Sequence, residues 1–76
     1  MGELVKYIAM SLVDHPDKVD VREIDTDDGI TVELRVDESD MGKVIGKQGR
    51  IAKSIRTIVK AASARSEKPV FVEIVE

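Results

Sequence analysis

Two glycines stand three positions apart in Val44-Ile45-Gly46-Lys47-Gln48-Gly49-Arg50-Ile51-Ala52-Lys53-Ser54-Ile55, and everything else in the chain is read outward from them. An apolar pair precedes the first glycine, and Ile51 and Ile55 follow the second at helical spacing. Glycine has no Cβ, so the pair lets the backbone turn sharply between two helices and lets another chain lie against it. The spacing puts the start of the second helix at about Arg50, where unpaired N–H groups and the positive end of the helix dipole favour an anion. Lys47 stands at the loop tip as a cation, and Gln48 adds a hydrogen-bonding amide.

A nucleotide phosphate loop needs G-x-x-x-x-G-K-[S/T]. Gly42 and Gly46 are one residue too close for that, and Gln48 stands where a magnesium-binding hydroxyl is required. A dinucleotide G-x-G-x-x-G fingerprint is absent. A bare G-x-x-G would be read as a plain turn between helices. Lys47, the apolar frame and the order of the surrounding elements argue against that reading.

Upstream, Leu4, Val5, Ile8, Ala9, Leu12 and Val13 make one apolar stripe, which predicts a helix over 3–13. Pro16 disfavours helical geometry at His15 and ends it. A strand is expected over 18–26, with Val19 and Val21 in alternation. Ile24 falls out of phase, which suggests a bulge or an early strand end. Asp27-Asp28-Gly29 is a hairpin signal, its Asp-Gly pair supplying the positive φ of a tight turn. Ile30, Val32, Leu34 and Val36 alternate with polar residues over 30–37, as in a strand with one wet face.

Ser39 or Asp40 is expected to cap a short helix ending near Ile45, with Gly46 terminating it in the left-handed conformation. Ile51, Ala52, Ile55, Ile58, Val59 and Ala62 form the stripe of the next helix, and Val70, Val72 and Ile74 alternate as a last strand. The order is α-β-β-α-α-β, an α+β fold with helices packed on one face of a three-stranded sheet. The last two strands are joined through two helices, which allows a parallel pairing.

Seventy-six residues leave room for one domain, 1–76, with a thin core and a surface groove rather than a deep pocket. There is no cysteine, hence neither a disulfide framework nor a Cys-based zinc site. No long apolar run marks a signal peptide or membrane span, so the expected location is the cytoplasm. Net charge is −3, but its distribution is uneven. From Met41 to Lys68 there are eight basic residues and one acid, Glu67, whereas the rest of the chain carries four basic and fourteen acidic residues. Such asymmetry suits one face to a polyanion. His15 is the lone histidine and is read as a turn residue; Asp27-Asp28 and the Asp37-Glu38-Asp40 cluster are read as solvated acids without calcium-loop spacing. No catalytic set, metal site or cofactor is expected.

The glycine loop in its apolar frame, together with the element order, resembles the type II KH fold. At this length it is similar to the small bacterial single-KH-domain proteins of the KhpA (YlqC) type. The resemblance implies a single-stranded RNA-binding protein, an RNA chaperone or post-transcriptional regulator, whose G-x-x-G loop holds the nucleic-acid backbone over about four nucleotides. It also implies dimerisation, with itself or with a larger KH-containing protein of the KhpB (Jag) type. The loop contacts carry over to Gly46, Lys47, Gln48 and Gly49. Arg50, Lys43 and Lys53 are the cations expected beside them, and Ile45 the apolar floor, with Val44, Ile51 and Val36 as further floor candidates. Tyr7 and Phe71 are the only aromatics, too few for an aromatic base-stacking platform but enough for a KH groove. The alternative is a KH-fold protein-interaction module acting through dimerisation, using Phe71 and Val75 on the far side of the last strand or Tyr7 and Met10 on the first helix.

Overall fold

The structure is a computed structural model, and it describes residues 1–46 and 49–75. Lys47 and Gln48 lie outside the described residues. Helix α1 runs Gly2–Leu12 and is followed by a single 3-10 turn, Pro16–Lys18. Strands β1 (Asp20–Thr26) and β2 (Gly29–Arg35) form a hairpin, helices α2 (Glu38–Ile45) and α3 (Arg50–Ala62) follow, and β3 (Val70–Ile74) closes the chain. The sheet order is β1-β2-β3, antiparallel between β1 and β2 and parallel between β2 and β3. This is the α+β order read from the sequence. Among the described residues, no helix is long and apolar enough to cross a membrane.

The core lies between the helices and one face of the sheet. Val32 and Leu34 of β2, Val5 and Ala9 of α1, Val44 of α2, Ile55 and Val59 of α3 and Val72 of β3 are all buried in it. Removing each large aliphatic side chain from water contributes about 1.5–3 kcal/mol. Ile30, Val70 and Ile74 extend the same face while partly exposed. Ile58 and Ala62, assigned to the α3 stripe, are exposed instead. The helix turns its Ala52-Ile55-Val59 line inward, and a thin two-layer core covers a narrower arc than the stripe offers.

Ile24 causes no bulge. Pairing runs without a break from Asp20↔Arg35 to Thr26↔Gly29. The helix-side position is taken by Glu23, opposite Val32, and its Oε2 accepts the Gly2 N–H at 3.1 Å. The carboxylate thus meets the positive end of α1, and Ile24 points to the open face beside Thr31. The tight turn consists of Asp27 and Asp28, and the positive φ falls on Gly29, at 153°, as the first residue of β2. A Cβ there would lie 2.7 Å from the Pro69 carbonyl oxygen, whose acceptance of the Ile30 N–H at 2.9 Å starts the pairing with the last strand.

The start of α2 also differs from expectation. Asp37 is the N-cap, accepting the Ser39 N–H at 3.1 Å. Asp40 is fully buried rather than solvated, and it takes the N–H groups of Asp14 (3.1 Å) and His15 (3.0 Å) where α1 ends. His15 is therefore more than a turn residue: its Nδ1 lies 3.2 Å from Asp40 Oδ2 and 3.1 Å from Ser39 Oγ. This network ties the exit of α1 to the entrance of α2. The polar atoms of His15, Asp37 and Asp40 lie within 4.8 Å of one another. Both Asp40 oxygens already accept N–H groups, so the cluster is a hydrogen-bonded staple.

Candidate nucleic-acid interface

The glycine turn joins α2 to α3. Gly46 is not left-handed: it is extended, at φ −81° and ψ −179°. Glycine is required there because a Cβ would run into the Gly42 carbonyl oxygen, which accepts the Gly46 N–H at 2.8 Å. The left-handed residue is Gly49, at φ 64° and ψ 36°, directly before α3. Its N–H donates to the Gly46 carbonyl at 2.8 Å and closes the turn. Among the described residues, and apart from the adjoining residues and the helix's own backbone, no atom lies within 4 Å of a Cβ built on Gly49 or Gly42, so the surface here is open to an approaching chain.

Among the described residues, no side chain caps the N–H groups at the start of helix α3, and its first turn holds no acid. Arg50 opens it, as expected. Lys53, Arg56 and Lys60 follow, four, seven and eleven residues after Gly49, which places them along one side of the helix. Among the described residues, no carboxylate lies within ion-pair distance of Arg50, Lys53, Arg56 or Lys60.

Beside α3 runs a groove of about 540 Å³, with Arg56, Val59, Lys60 and Ser63 on one wall and Pro69, Val70, Phe71 and Val72 on the other. Its second wall is the free edge of the sheet, because among the described residues β3 pairs only with β2. A free strand edge offers unpaired backbone donors and acceptors. Arg50 and Lys53 line a shallower depression with Ser54, Thr57 and Ile58, further round the helix.

The residues singled out in the sequence thus divide into groups. Gly46 and Gly49 form the turn, and Arg50 and Lys53 stand on the first turns of α3. Ile45 is 51% exposed at the end of α2, available as an apolar contact, whereas Val44 is wholly core and Ile51 and Val36 pack on the core's margin. Lys43 is drawn away: its Nζ donates to Asp14 Oδ2 at 2.6 Å. That hydrogen bond raises the Lys43 pKa and keeps the ammonium charged. Lys47 and Gln48 fall outside the described residues. Sequence reasoning overlooked Arg56 and Lys60 as groove residues. The signal was available in their helical spacing from Gly49, but the opposing wall, β3, is placed only by the parallel crossover.

Comparison with known proteins agrees with this geometry. The family model KhpA/KhpB, KH domain, matches residues 2–74. An "RNA-binding protein KhpA" of Caldanaerobacter subterraneus subsp. tengcongensis is 61% identical over 99% of this chain and 100% of its own length. Proteins with the same description are 59% identical in Clostridium perfringens, over 99% of this chain and 100% of theirs, and 49% identical in Aquifex aeolicus, over 100% and 96%. Among solved structures, Era in complex with MgGDPNP and a segment of 16S ribosomal RNA matches with a TM-score of 0.58 and 25% identity, over 96% of this chain and 28% of the Era chain. An open glycine turn, an uncapped helix, a groove against a parallel edge strand and full-length likeness converge: the chain belongs to the KhpA/KhpB KH-domain family.

Proposed function

We propose that this chain is an RNA-binding protein that holds single-stranded RNA and acts as an RNA chaperone or post-transcriptional regulator, without a catalytic step. The observation that carries this reading is the open Gly46–Gly49 turn leading into an uncapped α3 whose cations Arg50, Lys53, Arg56 and Lys60 have no acidic partner among the described residues. The turn and the helix N-terminus receive phosphates, with Lys47 and Gln48 adding a charge and an amide at the loop. The groove between α3 and β3 receives bases against aliphatic side chains and the strand's free backbone edge. The descriptions of the relatives support the same ligand class.

One such site clamps about four nucleotides, so the isolated domain binds weakly. A second site brought in by dimerisation, with another copy or with a larger KH protein of the KhpB (Jag) type, raises affinity through effective concentration. Exposed Tyr7 and Met10 on α1 offer a surface for that contact. The proposed setting is the cytoplasm, with one KH domain spanning the 76 residues.

The test is fluorescence anisotropy of a labelled single-stranded RNA across a salt series, using the wild type and a Lys47→Asp, Gln48→Asp double variant checked for folding by circular dichroism. Salt-dependent binding by the wild type and its loss in the folded variant support the assignment. Equal binding by both proteins moves the site away from the loop. Absence of wild-type binding at low salt, with a dimer in solution, favours the protein-interaction module.

A further inference from the structure

The helices pack on the face of the sheet that carries Val32, Leu34 and Val72. The strand register lays out the opposite face. Ile24 stands beside Thr31, and Thr31 beside Phe71, so one residue from each strand forms a row across the whole sheet. Phe71 is 55% exposed there, and Ile24 and Thr31 are partly so. Phe71 borders the α3 groove with its strand, but its ring lies on this open face, where its Cε2 would sit 3.1 Å from a Cβ on Gly29. The loop leading to it is fastened to the hairpin, since Lys68 Nζ donates to Asp25 Oδ1 at 2.8 Å and to the Thr26 carbonyl at 3.0 Å. A ring held in this way loses little freedom on contact with a partner.

The charges around the row select the partner. The next row on this face is Arg22, Glu33 and Glu73, and Asp20 beside Arg35 follows. Each arginine stands opposite an acid, Arg22 to Glu33 and Arg35 to Asp20, which leaves Glu73 in excess. On the other side of the apolar row is the hairpin tip, Asp27 and Asp28. Surplus acid on both flanks repels a phosphate chain and attracts a cationic partner. The central strand is paired along both edges, so the face offers side chains rather than main-chain hydrogen bonds. Neighbouring strands lie about 4.7–4.9 Å apart, so the row from Ile24 to Phe71 spans ~10 Å. Positions i and i+7 of an α-helix are ~10.5 Å apart.

We propose that the open face of the sheet docks a basic amphipathic helix of a partner protein. The helix lies across the strands, with apolar residues at i, i+4 and i+7 over Ile24, Thr31 and Phe71, and with lysines or arginines beside Glu73 and the hairpin tip. This surface is on the side of the sheet away from the helices, so the partner and a ligand in the α3 groove are held at the same time.

The probe is a synthetic helical peptide of about fourteen residues, with leucines at i, i+4 and i+7 and lysines on both sides of them. Its control carries glutamates in place of the lysines. Amide chemical shifts of the labelled wild-type chain are mapped with each peptide, which makes the result independent of any variant's folding. The lysine peptide is expected to shift Ile24, Thr31 and Phe71, and the glutamate peptide is expected not to bind. Ile24→Ser and Phe71→Ser, checked by circular dichroism, are expected to weaken peptide binding roughly tenfold or more. Glu73→Gln weakens it roughly twofold to fivefold at low salt and less at high salt. Labelled RNA binds Ile24→Ser as it binds wild type. Absence of binding by the lysine peptide, equal binding of both peptides, shifts centred away from the row, or undiminished binding by folded Ile24→Ser and Phe71→Ser overturns the proposal. So does a wild-type dimer that Phe71→Ser dissociates, because a second copy then covers the face, and so does RNA that shifts the row. The RNA reading of the α3 groove is tested separately from this surface.

Discussion

Asp40 holds His15 twice, accepting its backbone N–H at 3.0 Å and standing 3.2 Å from its imidazole Nδ1. The carboxylate is fully buried, in the helix that leads into the glycine turn, while His15 lies in the connection between α1 and β1. Burial alone would raise the Asp40 pKa. Donation from the Asp14 and His15 N–H groups and from the imidazole outweighs it, and the carboxyl sits below its ordinary value. Asp37 is lowered too, chiefly by its hydrogen bonds from the Ser39 hydroxyl and N–H.

These shifts fix the sign of an acid dependence. A carboxyl with a depressed folded-state pKa stabilises the fold fully above its unfolded value, and the contribution is lost as pH falls through the folded one. Wild type is therefore expected to lose stability below about pH 4, read as a falling urea midpoint. Asp40→Asn starts less stable at neutral pH and shows a shallower fall over the same acid range. An unchanged profile in Asp40→Asn would remove the staple from the account.

The glycines separate by mechanism. Gly49→Ala forces a side chain into the left-handed region and is expected to cost about 1–2 kcal/mol. Gly42→Ala adds a methyl group within a helix, with no atom of the described residues beyond its neighbours and its own helix backbone within 4 Å, and stabilises by about 0.5–1 kcal/mol. Gly46→Ala meets the Gly42 carbonyl oxygen and distorts the last turn of α2. Urea midpoints are expected to rank Gly42→Ala above wild type and both Gly46→Ala and Gly49→Ala below it.

Ile55 and Ile58 occupy the same apolar stripe in the sequence yet differ in burial, 0% against 41% exposed. Ile55→Ala leaves a cavity and is expected to cost about 2–5 kcal/mol. Ile58→Ala costs under about 1 kcal/mol. Equilibrium denaturation of both variants checks the orientation of α3.

The cations are likewise unequal. Replacing Arg56 or Lys60 with Ala is expected to lower RNA affinity and to make the salt dependence shallower, by roughly 0.7 in slope for each phosphate no longer neutralised. Lys43, already committed to Asp14 at 2.6 Å, changes the slope little when replaced with Ala. Anisotropy titrations at several salt concentrations distinguish the two behaviours.

The periodic elements were legible because each carries its own signal: the stripe of α1, the alternation of β2, and Gly46 and Gly49 around the turn. What was not legible depends on tertiary partners. Ile24 reads as a phase error only until Glu23 is seen facing the start of α1. Asp40 reads as a solvated acid until the exit of α1 supplies its donors. Gly46 and Gly49 were recognised as necessary, but which of them takes the left-handed geometry follows from the Gly42 carbonyl. Arg56 and Lys60 became groove residues only when β3 was placed opposite them.

The parallel pairing of β3 with β2 joins residue 30 to residue 70 across the whole of α2 and α3. Closing so long a loop carries a large entropic cost, and the groove's second wall exists only after it forms. A ligand in the groove therefore binds a state that includes the docked last strand and excludes any state in which it is detached. Occupancy adds RT ln(1 + [L]/Kd) to the free energy of opening that strand. Amide exchange in Val70–Ile74 then reports ligand binding more sharply than exchange in the β1–β2 hairpin, which completes its pairing without the groove.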